Sequence, residues 1–155
     1  MNNYKGSCLC GSVTFKIEGD FDSFYLCHCK HCQKDTGSAF AANLFSSSAI
    51  LTWASGVDAV VNFTLENTRH SKSFCKICGS ALPCTQLGDI LAVPAGCLDT
   101  KLLIKPTAHI FGVSKAAWEE NLETIKGFKE KYNLSVNRTI NMCLTKYLPE
   151  MLVWI

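Results

Sequence analysis

Seven of the ten cysteines in this 155-residue chain fall into three tight groups: Cys8 with Cys10, then Cys27, Cys29 and Cys32, then Cys75 with Cys78. No other feature constrains the fold as strongly, because thiols one or two residues apart have metal-ligand spacing and must sit on turns that let their sulfurs converge. Zinc takes four ligands in a tetrahedron, and four thiolates close a structural site. Pairing Cys8 and Cys10 with Cys75 and Cys78 makes one such shell and staples the start of the chain to a segment far along it. The three cysteines left over cannot supply a fourth ligand from their own segment. That is the ligand count of an open zinc site, three protein donors plus water or substrate. The competing reading is a second closed site, completed by Cys84, Cys97 or a histidine.

Composition supports metal over disulfides. The chain is 48% hydrophobic and 18% charged, the balance of a globular protein, and its length suits one domain with a real core. Its opening residues do not read as a signal peptide, and no apolar run approaches a membrane span, so a cytoplasmic location is expected. In a reducing compartment clustered cysteines bind metal or do thiol chemistry. A net charge of +2 without a run of like charges argues against a nucleic-acid partner and against a membrane surface.

Most of the chain has the rhythm of short strands. Gly6 to Gly11 reads as a glycine-bounded corner feeding a strand over Ser12 to Glu18, where Val13, Phe15 and Ile17 alternate with polar residues. Phe21 to Leu26 delivers the central triple as a second strand, and Lys30 to Thr36 makes one short helical turn before Gly37. Ala39 to Phe45, Ile50 to Trp53, Asp58 to Thr64, Ser71 to Phe74, Ala81 to Gln86, Asp89 to Val93 and Thr107 to Phe111 follow as further strands. Gly79 gives the Cys75 to Cys78 turn its backbone freedom. From Trp118 the texture changes. Glu119 to Tyr132 is rich in Glu and Lys, and Ile140, Cys143, Leu144, Tyr147, Leu148, Met151 and Leu152 keep helical spacing. The expected organisation is therefore a zinc-binding β domain over 1–121 and a helical extension over 122–155. That extension could cover a pocket or pair two subunits in a homodimer.

Charge narrows what an open site could do. Three thiolates on Zn²⁺ leave a net charge of about −1, which makes the metal a poor activator of water. It suits an incoming thiol, which would lose its proton and be held as a nucleophile, and so points to carbon–sulfur chemistry. Lys30, Lys34, His28 and His31 lie beside the triple and could offset its charge or move protons.

Five segments, GSCLCGSV, CHCKHCQ with Gly37 to Phe40, SFCKICGS, AGCLD and TAHIF, closely resemble the glutathione-dependent formaldehyde-activating family, which also contains centromere protein V. The resemblance runs from about Lys5 to Trp118. It implies a mainly β fold of small antiparallel sheets, the Mss4-like β-tent. It also implies two zincs per chain, a structural one at Cys8, Cys10, Cys75 and Cys78 and a catalytic or labile one at Cys27, Cys29 and Cys32. The implied reaction is a lyase-type one joining formaldehyde to glutathione, with Lys30, Lys34, Arg69 and Lys72 as the cationic partners for glutathione's carboxylates and His28 or His31 as proton donor. The alternative is a non-catalytic zinc module that binds a protein or chromatin partner. His70 and His109 read as ordinary surface or core histidines, and Cys84, Cys97 and Cys143 as small buried hydrophobes.

Overall fold

The computed structural model of the protein describes residues 2–86 and 88–129. Contacts divide the chain into a unit ending at Glu120 and another beginning at Asn121. In the second, the described residues hold one 3-10 turn, Leu122–Thr124. The helix expected from Glu119 is absent as far as residue 129. The rest of that segment, and the helical spacing around Cys143 to Leu152, lie outside the described residues.

The first unit is mainly β, with three small sheets. One joins β1 (Asn3–Ser7), β2 (Thr14–Glu18) and β5 (Ile50–Ser55) in that order. The second runs β11 (Ala108–Ile110), β3 (Ser23–Cys27), β4 (Ala41–Ser46), β10 (Ile90–Pro94) and β9 (Cys84–Gln86). The third joins β6 (Val60–Thr64), β7 (Ser71–Cys75) and β8 (Ala81–Leu82). The segment expected as one strand from Ala81 to Gln86 is two, because Pro83 lacks the N–H that a continuous ladder needs. One pairing departs from the antiparallel expectation: β11 lies parallel to β3, with Ile110 opposite Cys27 and His109 opposite Leu26.

Strand alternation gives the five-stranded sheet two different faces. Phe24, Leu44, Leu91 and Val93 point into the main core, where they meet Val13, Phe15 and Ile17 from β2 and its approach. Cys27, Ala41 and Ile110 point the other way and pack with Cys32 and Cys29 as a separate small cluster. The one α-helix among the described residues, α1 (Lys30–Thr36), follows β3 at once and is stopped by Gly37, whose φ of 63° is left-handed. So the same strand that feeds the core ends on the other face at the cysteine triple.

Candidate metal centre and substrate cleft

The four sulfurs of Cys8, Cys10, Cys75 and Cys78 lie within 4.8 Å of one another. Their convergence is local turn chemistry. The Gly11 amide donates to the Cys8 carbonyl at 2.9 Å and the Gly79 amide to the Cys75 carbonyl at 2.8 Å, both glycines having φ of 73°. The Ser80 hydroxyl ties the two turns together by accepting from the Leu9 amide at 3.0 Å. Zinc–sulfur bonds of about 2.3 Å give a tetrahedron with edges of about 3.8 Å. The Sγ separations of 3.4 Å for Cys8 and Cys10 and 4.0 Å for Cys10 and Cys75 bracket that edge. The residues fit zinc. Hydrogen bonds from Ser12 and the neighbouring Cys8 thiol hold the Cys10 thiol down at about 6. A backbone N–H at Ser80 lowers Cys78, while burial raises Cys8.

The sulfurs of Cys27, Cys29 and Cys32 form the second group of three within 4.8 Å, and among the described residues no fourth Cys, His, Asp or Glu joins it. Cys27 ends β3; Cys29 caps α1, its sulfur accepting from the Cys32 amide at 3.4 Å; Cys32 is buried in the first turn. Burial raises the Cys27 and Cys32 thiols. Burial also pushes Cys29 up, but the Cys32 amide and the two neighbouring thiols outweigh it, and the net shift is down. A divalent cation at these three adjacent thiols would convert them to thiolates. Cys84 and Cys97 do not complete this set. Cys97 belongs to the main core, its thiol pushed up to about 12 by burial.

A cleft of about 450 Å³ opens on this triple, between the Cys27 face of the five-stranded sheet and the β7–β8 hairpin. Cys27 and Cys32 line it together with Asp35 from α1, and Arg69, His70 and Lys72 line it from β7 and the turn that precedes it. Lys72 is paired with Asp35 and lies 5.5 Å from the Phe74 ring centre. His70 Nε2 is 3.7 Å from Asp35 Oδ2, and the His31 ring stands beside it at 5.5 Å. Of the four cations singled out in the sequence, Arg69 and Lys72 line the cleft. Lys34 lines a smaller groove next to it with His31. Lys30 instead reaches Gln33 Oε1 at 3.1 Å and the Ser114 carbonyl at 3.2 Å.

His28 is not among the residues that line the cleft. Its side chain is 1% exposed and lies on the opposite side of the strand end from Cys27, with Nδ1 2.8 Å from Glu119 Oε1 and Nε2 2.7 Å from His109 Nδ1. Sequence reasoning gives His70 and His109 no special role and passes over Asp35 and Glu119. TAHIF is a visible signal for His109, but nothing local marks Asp35, His70 or Glu119 as neighbours of the triple.

Comparison with known proteins agrees with this architecture. No curated protein matches the chain. A crystal structure of a Rhodobacter sphaeroides protein, 21% identical, aligns with a TM-score of 0.52 over 68% of this chain and 98% of that one, a likeness of fold. The family model described as glutathione-dependent formaldehyde-activating enzyme matches residues 3–114, which include both cysteine clusters. Matched over well more than half of its length, the chain belongs to the glutathione-dependent formaldehyde-activating enzyme family.

Proposed function

We propose that the protein is a zinc-dependent carbon–sulfur lyase-type enzyme that forms or breaks the adduct between a small anionic thiol, glutathione or a relative, and formaldehyde or another small carbonyl compound. The observation that carries this reading is the triple of Cys27, Cys29 and Cys32, three donors without a fourth among the described residues, two of which, Cys27 and Cys32, line a cleft large enough for a substrate. Zinc on these thiolates would supply a position at which an incoming thiol is held deprotonated. A second, closed zinc at Cys8, Cys10, Cys75 and Cys78 is structural.

The chain's own residues account for the rest. The thiolate sulfur adds to the carbonyl carbon, the C=O electron pair moves to oxygen, and that oxygen takes a proton; the reverse sequence is the lyase direction. No electron leaves or enters the pair. His70, which lines the same cleft as Cys27 and Cys32 and lies 3.7 Å from Asp35, gives that proton in this reading, with His31 beside it. Arg69 and Lys72, which line the cleft, offer charge to the carboxylates of the thiol. Free thiols throughout the described residues suit a reducing, cytoplasmic setting.

The test is exchange of ¹³C-formaldehyde with glutathione, followed by NMR with zinc-loaded protein against the spontaneous rate. Acceleration that disappears in Cys32→Ser is the expected result, and an unchanged rate overturns the reaction while leaving the cysteine architecture intact. A non-catalytic module that binds a protein partner is the second reading. It is favoured by Leu9 and Ile77, exposed at 86% and 62% on the tips of the two thiol turns. It predicts no acceleration with any thiol.

A further inference from the structure

His28 sits between two members of the triple and is held at every polar atom it has. Its amide donates to the Ile110 carbonyl at 3.0 Å, and its carbonyl accepts from Gln33 Nε2 at 2.6 Å. Its Nδ1 meets the Glu119 carboxylate and its Nε2 meets His109 Nδ1, with the two imidazoles stacked 5.0 Å apart. Phe40 closes over the ring at 5.3 Å. The partners come from four places in the chain, and two of them, His109 and Glu119, are 81 and 91 positions away.

One assignment of protons joins the three side chains: Nδ1–H of His28 donates to Glu119 Oε2 at 3.2 Å, and Nδ1–H of His109 donates to Nε2 of His28; Glu119 Oε1, buried 2.8 Å from the same Nδ1, has no hydrogen bond of its own. Glu119 is itself buried, its side chain 3% exposed. A buried carboxylate with an imidazole is a poor source of stability compared with an apolar pair of the same shape. What such a group does well is fix orientation. The network cannot act as a proton path into the cleft, because it lies on the opposite side of the strand end from Cys27. Its connection to the sulfurs is the backbone.

That backbone is extended at the end of β3, where residues i and i+2 point the same way and the residue between them points the other. Cys27 and Cys29 therefore face the metal position only while His28 faces away from it. We infer that Glu119, His28 and His109 form a positioning relay that locks this rotation and so sets the geometry of the Cys27–Cys29–Cys32 metal site. Gln33 adds a second hold by bridging the His28 carbonyl to that of Ser114, at 2.6 and 2.8 Å. Glu119 lies beyond the residues, 3–114, that the family model matches. The inference rests on metal binding at the triple and is independent of the reaction carried out there.

The test measures Co²⁺ and Zn²⁺ affinity by chelator competition, reading sulfur-to-cobalt charge transfer, in the full chain and its variants. Wild type should bind two metals; one metal would mean that the triple is not a metal site, which is a different failure from that of the relay. Glu119→Ala should weaken the labile site by about 10–100-fold, the usual effect of removing an outer-shell partner, and leave the four-thiolate site unchanged. Glu119→Gln, whose amide oxygen still accepts from Nδ1–H, should restore most of that affinity. If Glu119→Ala does not fold, His109→Ala, which alters only an exposed partner, decides the matter, with selective weakening at the triple expected. Unchanged affinity at the triple in the folded variants, or equal losses at both sites, overturns the relay.

Discussion

Serine at Cys78 and serine at Cys32 should affect the protein very unequally, although each removes one thiol from one of the two clusters that could hold a metal ion. Cys8 and Cys75, 3% and 0% exposed, are members of the main core with Val13, Phe15 and Leu82. Cys27 and Cys32 pack only into a satellite cluster with Ala41, Cys29 and Ile110. A domain of this size has a total stability of about 5–15 kcal/mol, and a structural zinc whose site forms only on folding contributes about 10–16 kcal/mol. The first metal is thus worth about as much as the whole fold, and Cys78→Ser should have no cooperative melt. The frame of the triple is set by strand pairing and by the contacts of His28, which do not need the ion. Zinc there adds only its binding linkage, about 2.7 kcal/mol at a free concentration 100 times Kd. That corresponds to roughly 10 °C in Tm. Calorimetry and near-ultraviolet circular dichroism on the two variants and on wild type titrated with a chelator make the comparison. Wild type should lose its second metal with a shift of about that size and unfold only when the first is stripped. A cooperative melt for Cys78→Ser within about 10 °C of wild type, or loss of folding in Cys32→Ser, would refute the division of roles.

Three other substitutions probe separate parts of the molecule. Arg69→Ser should raise KM for glutathione by roughly tenfold, as loss of one charge-assisted contact implies, and leave an uncharged thiol such as 2-mercaptoethanol unaffected; equal effects on both thiols would remove Arg69 from substrate binding. Gly56→Ala should cost about 2 kcal/mol or more in urea unfolding, because φ is 67° and a Cβ would fall 2.1 Å from the Ser12 carbonyl oxygen; a change near zero would show that this turn yields freely. Asp22 accepts from the Ser47 amide at 2.7 Å and its hydroxyl at 2.9 Å, which lower its carboxyl below the ordinary 3.8. Since the folded value lies below the unfolded one, this stabilisation is complete above the ordinary value and is lost as pH falls through the folded one. Ser47→Ala should move the Asp22 midpoint upward in a carboxyl ¹³C titration, and an unmoved midpoint would assign the shift to other groups.

The cysteine spacing makes both cysteine clusters legible in the sequence alone, because thiols one or two residues apart on a tight turn converge by local geometry. The Lys30–Thr36 turn is legible for the same reason: Gly37 stops it, and the residues between are short of alternation. What stays hidden depends on distant partners. β1 escapes recognition because Gly6 occupies one of its two buried positions, and a glycine carries no hydrophobic signal. The parallel addition of β11 follows from where the chain returns, which periodicity does not encode. Glu119 reads as the start of a charged helix, since nothing near it announces a histidine 91 positions earlier. His28 is legible as a neighbour of the ligands, but its side of the strand is decided by Glu119 and His109.

The four-thiolate site has a consequence for synthesis. Its two halves are 65 positions apart, from Cys10 to Cys75, and a ribosome adds about 5–20 residues per second. A nascent chain therefore carries Cys8 and Cys10 unmatched for roughly 3–13 seconds at that pace. The triple is translated early in that interval, whole within six residues, while Glu119 emerges last. If zinc is taken up during elongation, one pair and one triple would compete for the same ion, and an early zinc would bridge Cys8 or Cys10 to the wrong thiols before Cys75 exists. Zinc scarcity or excess would then be felt first at the ribosome, as mispaired nascent chains, and only afterwards as a shortage of metal in finished protein.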